Sequence, residues 1–213
     1  MTGLKVIIVG AGIGGLAAAN ALARGGIDVT VLEQARALGE VGAGVQLGPN
    51  ATRVLASMDL LQPMLDRAVV PEAQIAFSFD DGRELRRVAF ADKLKQTFGF
   101  PYLHMYRPDL LDVLAKGFGG DLRLGAAVAA VEEEPGRVGA RLASGEVVWG
   151  DVLVGADGIH SVIRRMLHGD VPARFSGYMA WRGLCPGDAG RAMRTPVVSA
   201  NWWGPGAHFV HYY

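Results

Sequence analysis

A single cysteine, Cys185, stands among 213 residues, so no internal disulfide forms within the chain. There is also no CxxC pair and no Cys/His spacing from which to build a zinc site. The expected compartment is therefore reducing and cytoplasmic. An excess of charge of one sign is equally lacking. Lys plus Arg and Asp plus Glu number 21 each, and no long-range field draws the chain to nucleic acid or to an anionic membrane. No apolar run reaches the ~20 residues that span a bilayer. The N-terminal "MTGLKVIIVGAGIGGLAAANALARGG" imitates a signal peptide, with Lys5 ahead of an apolar stretch, but its glycines fall at spacings that another mechanism explains. These absences leave a soluble chain, long enough to bury a substantial core as one large domain or two small ones.

What the chain has in excess is glycine, 30 residues with no Gly-X-Y period and no low-complexity run, which predicts tight turns or close backbone approaches to a ligand. "LKVIIVG" reads as a parallel strand buried on both faces. "LAAANALARGG" carries Leu16, Ala19, Leu22 and Ala23 at helical spacing before Gly25 and Gly26, and "IDVTVLE" reads as a second parallel strand. Gly10, Gly12 and Gly15, with Gly14 between them, thus occupy the strand-to-helix turn of a βαβ unit, the context a dinucleotide fingerprint requires. Gly10 permits the turn, Gly12 lets the backbone approach a pyrophosphate, and Gly15 lets helix and strand pack closely beside an anion-favouring helix N-terminus. Glu33, 18 residues after Gly15, is placed to accept hydrogen bonds from ribose hydroxyls. The alternative is that these glycines serve packing alone.

Beyond this unit, Gly39 to Gly48 reads as a long glycine-rich loop, functional or a plain surface excursion, followed by a helix capped at Asn50. "EAQIAFSFDDGREL" reads as a hairpin through Asp81-Gly82, and the stretch from Val128 to Gly155 as a meander turning at Pro135-Gly136 and Ser144-Gly145. Glu132 to Glu134 read as a solvated strand end rather than a metal site. Arg107 opens a helix carrying Leu110, Leu111 and Leu114 on one face, where its guanidinium either pairs with a phosphate or is simply solvated. "DVLVGADG" is a buried-strand run like "KVIIVG", and Asp157-Gly158 at its carboxyl end marks either a ligand site or a turn. From Arg174 onward, "FSGYMAWRGLC" and "VVSANWWGPGAHFVHYY" read as aromatic strands. The soft boundary near 172 therefore gives a domain over 1–172 and the start of a second over 173–213, with the hairpin near 72–100 assigned to the second.

Three motifs resemble the class A flavoprotein aromatic hydroxylases, the family of salicylate hydroxylase and 3-hydroxybenzoate 6-hydroxylase. They are the fingerprint with "VLEQA" and "GEVGAGVQLGPNA" behind it, then "YRPDLLDVL", then "VLVGADGIHSVIRRML". The resemblance implies an α/β fold like that of 4-hydroxybenzoate hydroxylase, a Rossmann-type FAD-binding domain with an incomplete, mostly-β substrate domain. It implies FAD as cofactor and NADH or NADPH as co-substrate, docking without a second Rossmann unit. Gln46 is implied to contact the isoalloxazine, Arg107 and Asp157 to reach the FAD, and the backbone at Val131 to meet the adenine. The implied partners are a small aromatic acid and O2, with neither nucleic acid nor membrane, and a homodimer is one assembly open to a full-length form.

In that family a flavin hydroperoxide transfers an OH group to a phenol whose hydroxyl has been deprotonated, a task suited to a neutral imidazole. His208 and Tyr212, in an H-x-x-x-Y arrangement, resemble the base and its hydroxyl partner, and in a strand they would share a face with His211 opposite. A packed or rim position is the alternative for each histidine. Leu47 departs from the pyridine-type enzymes, which carry a histidine there, and Arg182 either pairs with a substrate carboxylate or faces solvent. The sequence ends before the family's Gly-Asp motif, so the expectation is an N-terminal portion of a chain nearly twice as long, with "HFVHYY" left as an unpaired apolar edge. Oxidation or epoxidation of a non-aromatic substrate, and a non-catalytic FAD-binding module, stay open beside aromatic hydroxylation.

Overall fold

The structure is a computed structural model and describes residues 3–39, 43–192 and 196–213. From the N-terminus, β1 (Lys5–Val9), α1 (Ile13–Arg24) and β2 (Asp28–Glu33) form the βαβ unit. Next come β3 (Gly44–Leu47), α2 (Pro49–Ser57), α3 (Leu61–Leu65), the hairpin β4 (Ala73–Ser78) and β5 (Glu84–Ala89), and α4 (Ala91–Phe98). β6 (Leu103–Tyr106) leads into α5 (Arg107–Gly117) and β7 (Asp121–Leu124). The meander β8 (Val128–Glu134), β9 (Arg137–Leu142), β10 (Val147–Gly150) precedes β11 (Val152–Gly155) and α6 (Val162–His168). α7 (Gly187–Ala192) and the hairpin β12 (Ser199–Gly204), β13 (Ala207–His211) follow. Two compact units result, residues 1–40 with 111–180 and residues 41–110 with 181–213, where the sequence suggests one boundary near 172.

The first unit holds a parallel sheet in the order β11-β1-β2-β7 and the antiparallel meander β10-β9-β8. Ile7 and Val9 pack with Leu32, Ala140, Leu142 and Ile163 in one apolar cluster, and the alternating Val6 and Ile8 point the other way and are equally buried. That double burial is why β1 is uniformly apolar. Asn20 sits buried in α1, where its Nδ2 donates to the carbonyls of Leu16 at 2.8 Å and Leu114 at 2.9 Å, tying α1 to α5. The turn after β1 is closed by two contacts. Gly10 takes φ +104°, and a Cβ there would lie 2.5 Å from the Ala156 carbonyl oxygen. A Cβ on Gly15 would overlap the Gly10 carbonyl oxygen itself. Contrary to the sequence reading, β11 is not buried on both faces. It pairs with β1 alone and ends the sheet, leaving Val152 41% exposed.

The second unit holds the sheet β13-β12-β4-β5 and the two-stranded ladder β3-β6. β12 runs parallel to β4, Phe77 stacks on Trp202 with centroids 4.7 Å apart, and Ala73, Ile75, Val198 and Ala200 form the apolar cluster beneath. β13 is the edge strand, with Phe209 58% exposed. Three local expectations are corrected here. The predicted loop from Gly39 contains β3, because Gly44 to Leu47 pair with β6; residues 40–42 of it lie outside the described residues. α2 is capped by Gly48 rather than Asn50, because Pro49, which needs no N–H partner, takes the first helical position. "FSGYMAWRGLC" is not a strand: no ladder partner is present among the described residues, and Phe175 and Trp181 stand 76% and 91% exposed.

Gly15→Ala is expected to cost about 4 kcal/mol or more, because the clash is with backbone that cannot step aside. Gly14→Ala, where a Cβ meets nothing within 4 Å, should gain up to about 1 kcal/mol of helix propensity. Thermal unfolding followed by circular dichroism separates the two.

Candidate functional site

In the first unit the candidate residues gather at the carboxyl ends of the parallel strands, where open α/β sheets bind ligands. Gly12 is the N-cap residue of α1, in extended conformation and without a side-chain cap, so the first-turn amides face outward. A Cβ on Gly12 or Gly14 would meet nothing within 4 Å. The sequence thus places its two unobstructed glycines over the helix N-terminus and its two sterically obligatory ones beneath it. An anion could lie against those amides.

Glu33 ends β2 with each carboxylate oxygen accepting a backbone amide, Oε2 from Ala11 at 2.7 Å and Oε1 from Ala35 at 2.8 Å. It therefore pins the fingerprint loop to the end of β2, and each oxygen retains a lone pair for a ribose hydroxyl. Asp157 has an additional local job that the motif did not reveal. Its carboxylate accepts from Ser161 Oγ at 2.5 Å and from the amides of Val162 at 2.7 Å and Ile163 at 3.2 Å, while Ser161 caps α6 through the Arg164 amide. The Ser at 161, four residues past Asp157 and just before a helix, was the available signal. Val131 turns its side chain into the apolar cluster, opposite Ala140 in the β8-β9 ladder. Glu132 pairs with Arg141, and Glu134 with Arg137, so this run is an ion-paired strand end. No group of acidic, His or Cys side chains among the described residues could hold a metal ion. A concavity of about 400 Å³ lined by Lys5, Asp28, Asp121 and Arg123 opens at the amino ends of the strands, away from the fingerprint.

In the second unit, Gln46 on β3 lies directly opposite His104 on β6. Gln46 is held at both ends of its amide: Tyr102 Oη donates to Oε1 at 2.7 Å, and Nε2 donates to Ser199 Oγ at 2.9 Å. His104 is 1% exposed, with Tyr102 edge-on at 5.9 Å and the Tyr212 ring tilted over it at 4.4 Å. Burial lowers its pKa to about 4, against a weak opposing pull from the Tyr213 backbone, and it stays neutral at pH 7. Neither ring nitrogen completes a hydrogen bond. Tyr212 also covers Gly44, where a Cβ would fall 2.5 Å from its ring. Burial raises the hydroxyl pKa values of Tyr102 and Tyr212, with exposed Arg182 pulling Tyr212 slightly the other way.

The residues expected to act together are placed differently. His208 is exposed on β13 opposite Trp203, and Tyr212 lies beyond the end of that strand, so the alternation that would put both on one face stops at His211. His211 is half-buried beside Phe209 at 5.5 Å, and burial lowers its pKa. Arg107 opens α5 half-buried, its amide donating to the Ala43 carbonyl at 3.1 Å, while Leu110, Leu111 and Leu114 are buried as their spacing predicts. Sequence reasoning missed Tyr102, His104 and Ser199. The signal lay in "YLHMY", where alternation sets Tyr102, His104 and Tyr106 on one face of a strand.

The family described as FAD binding domain matches residues 3–184. A 3-amino-4-hydroxybenzoate 2-monooxygenase of Streptomyces cremeus is 36% identical over 210 residues, covering 98% of this chain and 53% of that protein. 3-Hydroxybenzoate 6-hydroxylase 1 of Aquipseudomonas alcaligenes is 37% identical over 212 residues, covering 98% and 54%. Among solved structures, Klebsiella pneumoniae HpxO complexed with FAD and uric acid superposes with a TM-score of 0.81 at 25% identity, over 98% of this chain and 53% of that one. The chain spans about half the length of the curated relatives it matches. No helix among the described residues is long and apolar enough to cross a membrane.

Two outcomes are expected. His104 binds a proton in the unfolded chain below about pH 6.5 but in the folded chain only below about 4, so its contribution to stability is full above that window and is lost as pH falls through it. The slope is on the order of 1 kcal/mol per pH unit. Melting temperatures measured from pH 7 to pH 4 should fall accordingly, and less steeply in His104→Phe. Asp157→Ala should cost about 1–2 kcal/mol by uncapping α6, read by denaturant unfolding.

Proposed function

This chain belongs to the FAD binding domain family, and from that membership we propose an FAD-dependent, NAD(P)H-consuming monooxygenase that hydroxylates a phenolic aromatic acid. The observation that carries the reading is the fingerprint turn, whose outward amides and Glu33 carboxylate suit a dinucleotide, in a chain alike over 98% of its length to two enzymes named for hydroxybenzoates. FAD, when bound, supplies the redox and oxygen chemistry. The protein's part is to hold the cofactor, exclude water and manage one proton.

In this reading the first-turn amides of α1 receive the pyrophosphate and Glu33 the ribose hydroxyls, and the Val131 backbone meets the adenine. Arg107, at the start of α5, and Asp157, which also caps α6, are the further cofactor contacts of this reading. Gln46, fixed by Tyr102 and Ser199, presents a rigid amide to the flavin ring. His208 accepts the phenolic proton and Tyr212 is its hydroxyl partner, which requires the segment after β13 to bring them together.

Reconstitution with FAD followed by anaerobic NADH and NADPH titration tests the reading. Bleaching of the flavin absorbance is expected to accelerate when a hydroxybenzoate is added. If FAD binds and no phenolic acid changes the rate of bleaching, the proposal fails. Glu33→Ala is expected to weaken FAD binding by about tenfold or more, measured by flavin fluorescence quenching.

A further inference from the structure

Among the described residues, the two ring nitrogens of His104 are the buried side-chain polar atoms that lack a hydrogen-bond partner. Leaving such a group unpaired costs about 1–3 kcal/mol, and proteins seldom carry that cost without a compensating use. The polar groups of the ladder around it are engaged with one another. Gln46 is bonded at both ends, Tyr102 donates to it, Ser199 accepts from it, and buried Thr52 donates to the Pro101 carbonyl at 2.8 Å. One imidazole, directly across the ladder from Gln46, completes a hydrogen bond at neither ring nitrogen, the Tyr213 backbone lying near enough only for a weak pull.

We propose that His104 is a substrate-contact residue, donating its ring N–H to the ring hydroxyl oxygen of a phenolic ligand that lies against Tyr102 and Tyr212. The inference rests on the phenolic-acid reading above and adds a contact that neither His208 nor Tyr212 provides. The aromatic rings on either side of His104, at 5.9 and 4.4 Å, are the surroundings a phenol ring packs against. Because burial keeps the imidazole neutral down to about pH 4, His104 is a weak base and a persistent donor. As the hydroxyl proton leaves for a separate base, the N–H stays with His104 and stabilises the charge growing on the oxygen. To reach His104 the ligand displaces the Tyr212 ring, which now covers it.

The test compares 3-hydroxybenzoate with benzoate, which lacks the hydroxyl, by tryptophan fluorescence titration of the FAD-loaded chain. The wild-type chain is expected to bind 3-hydroxybenzoate about tenfold more tightly, the worth of one net hydrogen bond. In His104→Phe the two affinities become equal, and in His104→Gln, which keeps a donor, part of the difference returns. His104→Phe should melt at or above the wild-type temperature at pH 7, because an apolar ring of the same shape removes the unpaired atoms. Undiminished discrimination in His104→Phe overturns the proposal, as does equal binding of the two acids by the wild type. A clear loss of stability in His104→Phe with the discrimination intact would show a packing role instead. If discrimination follows His104 but no phenolic acid accelerates NADH-driven bleaching, the hydroxylase reading fails and the contact stands.

Discussion

The carbonyl oxygen of Gly10 lies where a side chain on Gly15 would have to be. That approach brings the first turn of α1 down onto the end of β1, and much of the first unit's functional geometry follows from it. Gly10 also abuts the Ala156 carbonyl, so the turn after β1 and the turn after β11 are packed against each other. Backbone hydrogen bonds from Gly10 to Leu32 at 2.7 Å and from Ala156 to Val9 at 2.8 Å hold the same junction. The consequence is that the α1 amides are presented at the carboxyl end of the sheet without a side chain over them. A flexible loop would lose entropy on gripping an anion; this one is ordered by packing beforehand.

The acidic residues at this end hold the backbone in place. Glu33 joins the end of β2 to the fingerprint loop, and Asp157 joins the end of β11 to α6. Glu33 uses both oxygens on backbone amides, and Asp157 uses one on two amides and the other on the Ser161 hydroxyl, so each orients an element. A strand's carboxyl end and a helix's amino end converge at both sites, and an acidic side chain there favours the positive helix terminus as well as a bound hydroxyl.

The second unit follows a different logic. Its small β3-β6 ladder carries polar and aromatic side chains on a face that is largely buried, which is expensive unless they satisfy one another. Gln46, Tyr102 and Ser199 do so in a chain of two hydrogen bonds. His104 is the exception, neutral because it is buried and without a completed hydrogen bond at either ring nitrogen.

The sequence by itself determined the βαβ unit, the roles of Gly10 and Gly15 in the turn and its packing, the hairpin through Asp81-Gly82, the meander, and the family to which the chain belongs. These are local: a β-branched run, a helical period and glycines at set offsets specify their own conformation within about thirty residues. What only tertiary structure decided is which segments find partners. β3 became a strand because β6, more than fifty residues on, pairs with it, whereas the equally aromatic stretch near Trp181 has no strand beside it among the described residues. The same holds for the histidines. His208 stood out in the sequence for its spacing to Tyr212, yet Tyr212 leaves the strand and turns onto His104, a residue with no motif of its own. Spacing orders side chains only as far as a strand continues, and burial depends on what arrives from elsewhere in the chain.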